Sequence, residues 1–396
     1  MILAAFVFAA LRSLEEAARI EIALEAFPRR VSCLDMNDLA AVGVKRPCVA
    51  SDFSFPFDGF RHGPESFGPS AVGLIDCHNR DNGKLTQSPI ERKIFSIPER
   101  PSGGNATMYD LFTDGDCDVT PKIAAEYGYH VIAMPYIVDG KEIYPYLDWK
   151  EFRVHEYYQA LRKGLIPKTC GLSPKQYVDY FEPSFKAGHD ILYVHFSSAM
   201  SGTFSAMRIA LDQLREKYPD RQYYDVDTKA VTVGALGMCQ EIGRMHKEGA
   251  SPEAIVAWAE REVQHFATYF YADNLKFFAR SGRVSNFSAA MGGLVGVKPI
   301  IYMTAEGGLV SISKALGRLT ALSKLLQYVE ELQCHIKDHK VIIGHCDCLF
   351  LAERMAHMLR LRFGHDLPIE IVPVGPVAGA HCGPDCIAVN FYARHR

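Results

Sequence analysis

With 396 residues, 48% of them hydrophobic, the chain is long enough to bury two or three cores. Its 43 basic and 46 acidic side chains leave a formal net charge of -3, which offers no basic surface for nucleic acid. The apolar opening, residues 1–11, is too short to span a bilayer and lacks the basic flank and cleavage site of an export signal. The expectation is a cytoplasmic protein without stable membrane insertion, its 11 irregularly spaced cysteines reduced rather than paired.

Residues 1–107 show one amphipathic pattern, over about 11–26, and then a Pro-, Gly- and Ser-punctuated stretch without sustained period. They read as a poorly ordered or mispredicted N-terminal extension. Regular patterning begins at Met108, with a strand over 109–113, a helix near 121–127, and extended segments over 131–138 and 141–144. Helices over 151–163 and 174–187 lead to an apolar strand at 190–196, a helix at about 203–217 and a strand at 222–226. Ser251-Pro252 opens a helix over 253–265, with serine as cap and proline in the first turn. Strands at 268–271, 299–303 and 309–313, two short helices and a long helix from Arg318 follow. This alternation predicts an α/β protein whose first domain, 108–265, is a doubly wound, mostly parallel sheet, followed by a smaller α+β domain over 266–396.

The most informative local feature is Phe196-Ser197-Ser198-Ala199-Met200-Ser201-Gly202-Thr203, where a buried strand gives way to a helix. Such a turn points unpaired N–H groups and the positive end of a helix dipole outward, so an anionic headgroup fits there. Equally, Ser201 and Thr203 could simply cap the helix. A hydrolase nucleophile elbow needs glycine two residues before and after the serine, where Ala199 and Thr203 stand. His345-Cys346-Asp347-Cys348 and His381-Cys382-Gly383-Pro384-Asp385-Cys386 offer soft ligands, but neither has structural-zinc spacing, and free thiols are expected with no metal. No dinucleotide fingerprint or phosphate-binding P-loop is present, so no cofactor is expected.

The Ser201-Gly202-Thr203 helix start and the loop Gly375-Pro376-Val377-Ala378-Gly379-Ala380-His381-Cys382-Gly383-Pro384 resemble the DegV family. Phe112-Thr113-Asp114, Asp227-Thr228, Ser281-Gly282-Arg283-Val284 and Val297-Lys298-Pro299 match in the same order. The resemblance covers 108–396. It implies a ligand cleft between the two domains, gripping a long-chain fatty acid with its tail in the C-terminal domain. Its carboxylate would meet Thr169, Ser201, Gly202 and His381, with Cys170, Arg283 and Thr203 as further contacts. The resemblance also implies a non-catalytic protein of bacterial type that offers the carboxylate to a fatty acid kinase subunit for phospholipid synthesis. Two departures are visible: Cys170 stands where the family has serine, and Leu316 stands at the first of two arginine positions, leaving Arg318 at the second. The competing reading is an acyl hydrolase or transferase using Ser201 and His381, with Asp114 or Asp227 as the orienting carboxylate.

Overall fold

A computed structural model describes residues 108–145, 152–285 and 296–396; the expected pattern over 11–26 and the whole of 1–107 lie outside them. The chain opens on β1 (Tyr109–Asp114), a single 3-10 turn (Gly115–Cys117) and α1 (Pro121–Tyr127), whose Thr120 cap and leading proline fix its start. β2 (Tyr129–Ile132), β3 (Tyr136–Val138) and β4 (Lys141–Ile143) follow. The single extended segment expected over 131–138 is therefore broken, because Pro135 has no N–H to continue a ladder. The two halves join different sheets, with β3 pairing antiparallel to β4 and to β5 (Lys168–Thr169).

α2 (Val154–Arg162) precedes β5, and α3 (Pro174–Lys186) follows it, opened by a capping box between Ser173 and Gln176. β6 (Asp190–His195) is buried at every position, as a central strand covered on both faces must be. α4 (Thr203–Lys217) and β7 (Tyr223–Asp227) complete a four-stranded, wholly parallel sheet in the order β2-β1-β6-β7.

α5 (Val233–Lys247) was not marked by the sequence pattern: its first two turns, residues 233–239, are buried on every side, and polar residues appear only from Gln240 onward. It packs against α1 and the 3-10 turn and against the second sheet. A Cβ at Gly234 would stand 2.4 Å from Thr268 Oγ1, so only glycine allows that approach. α6 (Pro252–Glu262) starts at the expected Ser251 cap.

The second sheet begins with β8 (Phe266–Tyr271), α7 (Leu275–Ser281) and β9 (Val284–Ser285). β10 (Val297–Met303), β11 (Leu309–Leu316) and α8 (Arg318–Leu332) extend or match the expected elements. β12 (Val341–His345), α9 (Leu349–Phe363), β13 (Ile369–Pro373), α10 (Pro376–Cys382) and β14 (Ile387–Tyr392) finish the chain. The strands form one mixed sheet, β13-β12-β14-β8-β10-β11-β9. The described residues thus form an α/β protein with a parallel sheet, a separate mixed sheet and the small antiparallel sheet β4-β3-β5.

Candidate ligand-binding site

A cavity of about 140 Å³, roughly ten times the space one water needs, lies beyond the carboxyl ends of β1 and β6, where Asp116 and Phe196 line it. The second sheet and α7 contribute Phe270, Phe278, Met303 and Leu309, so the wall is mostly apolar. Thr169, Cys170, Ser201, Arg283 and His381 interrupt that wall with polar groups. An outer pocket shares Met200, Ser201, Ser281, Arg283 and Leu309 with the cavity, which marks its open end.

His381 sits at the C-terminal end of α10, with Nε2 2.9 Å from Thr169 Oγ1. Burial, aided by the positive charges of Arg283 and Arg280, pushes its pKa down to about 4, so the imidazole is neutral at pH 7. The loop that carries it is held from the first half of the chain. Tyr157 and Tyr158 donate to the carbonyls of Pro376 (2.6 Å) and Val374 (2.9 Å), and Asp118 Oδ1 accepts the Gly375 N–H at 2.9 Å. These contacts explain two glycines of the loop: a Cβ at Gly375 would lie 2.7 Å from Asp118 Oδ1, and one at Gly379 would lie 2.5 Å from Tyr158 Oη.

Ser201 Oγ accepts the Thr203 N–H at 3.2 Å, which leaves the serine proton for another acceptor. Gly202 borders the outer pocket, with open space where a side chain would be. Thr203 is buried, and its Oγ1 accepts the Leu172 N–H and meets the Tyr177 hydroxyl, both at 3.0 Å. It therefore braces the turn from behind. Cys170 lines the cavity with a thiol held above the usual range by burial and by Glu142. Arg283 is exposed at the mouth and donates from Nη1 to the Ser281 carbonyl at 2.5 Å.

The two candidate orienting carboxylates point to other partners. Asp114 accepts from the Tyr193 hydroxyl (3.0 Å) and the N–H groups of Phe196 (3.1 Å) and Asp116 (3.0 Å), while Asp227 pairs with Lys229 Nζ at 2.8 Å and Ser198 Oγ at 2.5 Å. Arg318 is engaged as well, with Asp273 (2.8 and 3.0 Å) and Asp385 (2.8 Å), and Leu316 is exposed. Cys346, Cys382 and Cys386 all reach the cavity wall as free thiols, and Cys386 donates to the Cys382 carbonyl at 3.1 Å. Among the described residues no cluster of His, Cys, Asp or Glu is arranged to hold a metal.

The sequence reading missed Asp116 and Asp118. Asp116 lines the cavity, and Asp118 holds the histidine loop. The signal available was the run Asp114-Gly115-Asp116-Cys117-Asp118, three acids in five residues immediately after a buried strand.

A sequence profile described as "Uncharacterised protein, DegV family" matches residues 108–394. A DegV domain-containing protein of Clostridium perfringens is 33% identical over 282 residues, spanning 71% of this chain and 96% of the relative. Among solved structures, a stearic acid-binding protein from Eubacterium ventriosum has a TM-score of 0.64 at 21% identity, over 72% of this chain and 99% of the other. A Thermus thermophilus DegV family protein, described by its fatty acid binding, has a TM-score of 0.61 at 24% identity, over 72% and 99% of the two chains. The likeness to these structures is one of fold, and the profile covers well over half of the sequence: the chain belongs to the DegV family.

Proposed function

We propose that this chain is a non-catalytic carrier of a long-chain fatty acid, working in the cytoplasm through a domain over 108–265 and a second over 266–396. The observation that carries the reading is a mostly apolar cavity whose polar groups, Thr169, Ser201 and His381, belong to separate parts of the chain. An apolar tail suits such a wall: about a dozen methylenes at roughly 0.8 kcal/mol each give on the order of 10 kcal/mol before association costs. The carboxylate needs donors. Ser201 has a proton to give, Gly202 borders the outer pocket with no side chain in the way, and the His381 tautomer that carries its proton on Nε2 would donate to Thr169 Oγ1 and free the threonine proton for the ligand.

The open end at Ser201 and Arg283 lets a second protein reach the carboxylate. The chain thereby presents the fatty acid to a partner kinase, which forms the acyl phosphate. The hydrolase reading lacks an orienting carboxylate, since the charged groups that bear on the buried His381 are Arg283 and Arg280. Native mass spectrometry of the purified chain, followed by denaturing extraction, tests the carrier role and predicts one fatty acid per chain. Adding a fatty acid kinase subunit and ATP should yield hydroxylamine-trappable acyl phosphate only when both proteins are present. Ester hydrolysis by the isolated chain that is abolished by Ser201→Ala would replace this reading with the enzymatic one.

A further inference from the structure

Asp116 is a carboxyl that the carrier mechanism does not use. It is 9% exposed, it lines the cavity, and its Oδ1 has no hydrogen-bond partner. Its main chain is fixed on both sides, the N–H donating to Asp114 Oδ1 at 3.0 Å and the carbonyl accepting from Thr232 N–H at 2.7 Å. Thr232 also lines the cavity and sits at φ 52, in a left-handed conformation that a β-branched residue adopts only under constraint. The main chain that carries this carboxyl is therefore fixed at the cavity wall.

A buried polar group without a partner costs stability, and an apolar tail lying against it leaves that cost unrelieved. Its protonation is shifted in the direction that makes it useful. Burial, reinforced by the nearby Asp114 and Asp118, raises its pKa well above the usual carboxylate range. A neutral carboxyl brings one donor and one acceptor to the cavity, which matches a hydroxyl group and nothing on a plain hydrocarbon chain.

We infer that Asp116 reads an oxygen substituent on the bound chain, so that the ligand class of this cavity is a fatty acid bearing a hydroxyl group along its tail. This rests on the fatty-acid reading and narrows it. A site built to hydrogen-bond a hydroxyl rejects the analogue that lacks it, because its own polar group is then stranded.

The test measures dissociation constants of the purified chain, stripped of lipid, for stearic acid and for a panel of positional isomers of hydroxystearic acid. At least one isomer should bind roughly tenfold more tightly than stearic acid, the value of one added hydrogen bond. Asp116→Ala should lose that preference and bind stearic acid more tightly than the wild type, while Asp116→Asn, which keeps a donor and an acceptor, should retain part of it. Unliganded melting temperatures confirm that each variant folds. Wild-type protein that binds stearic acid as tightly as every hydroxy isomer overturns the inference and leaves the carrier role standing. A preference that survives in Asp116→Ala removes Asp116 from the reading. Failure to bind either kind of acid overturns both proposals.

Discussion

At the scale of single residues, His381 and Thr169 divide one task between them. In the proposed site the neutral imidazole, 2.9 Å from Thr169 Oγ1, would orient the hydroxyl and the hydroxyl would meet the ligand. Because the folded pKa of His381, about 4, lies below the unfolded value of 6.5, the folded state binds fewer protons between these limits. The contribution of this group to stability is complete above pH 6.5 and is lost as pH falls toward 4. A bound carboxylate opposes the shift, so NMR titration of His381 should give a higher pKa in the fatty-acid-loaded protein than in the stripped one; an unchanged value would place the headgroup elsewhere. Thr169→Val keeps the shape but leaves His381 Nε2 without a partner. It should weaken fatty-acid binding by about 1–3 kcal/mol, roughly 5- to 150-fold, read by titration calorimetry.

At the scale of elements, the site depends on how the loop between β13 and α10 is pinned by the turn after β1. Asp118 holds the Gly375 N–H, yet burial, partly offset by that bond and reinforced by Asp114, raises its pKa to about 8. A carboxyl with a raised folded pKa favours folding less and less as pH rises from about 4 to 8. Asp118→Asn is neutral throughout and keeps an acceptor for Gly375. Its melting temperature should therefore exceed that of the wild type by a margin that grows across that window, roughly 2–4 °C for each kcal/mol. A margin constant with pH would show that Asp118 is not the titrating group.

Much of this arrangement was legible beforehand, and the reasons differ by element. The capped helices α3 and α6 and the apolar strand β6 follow local rules that a sequence displays directly. The Ser201 turn and the His381 loop are both carried by local motifs, and Gly375 and Gly379 of the second have the steric reasons given above. α5 was not legible, because its first two turns are buried on every side and a polar face appears only in its second half. Asp116 was not legible either, since it lines a cavity whose other walls come from segments scattered along the chain as far as Ala388.

At the scale of the whole molecule, the first half of the described chain is tied to the second around the cavity. Arg162 of α2 bridges Asp347 and Asp385, Asp385 also meets Arg318, and Arg318 pairs with Asp273 beside Lys298. Partly exposed pairs of this kind add little stability singly; here they form one connected network. A fragment of residues 108–396 should unfold in one cooperative transition and bind fatty acid as the full chain does; calorimetry showing two separate transitions would contradict that unity. The central claim is that a fatty acid lies in this cavity with its carboxylate at Thr169 and Ser201. The measurement that tests it most directly is anomalous diffraction from crystals loaded with a fatty acid brominated at the end of its tail. One bromine peak is expected among the apolar side chains of the cavity, with carboxylate density within hydrogen-bond distance of Thr169 and Ser201. Bromine at the open end near Arg283, with the carboxylate buried, would contradict it.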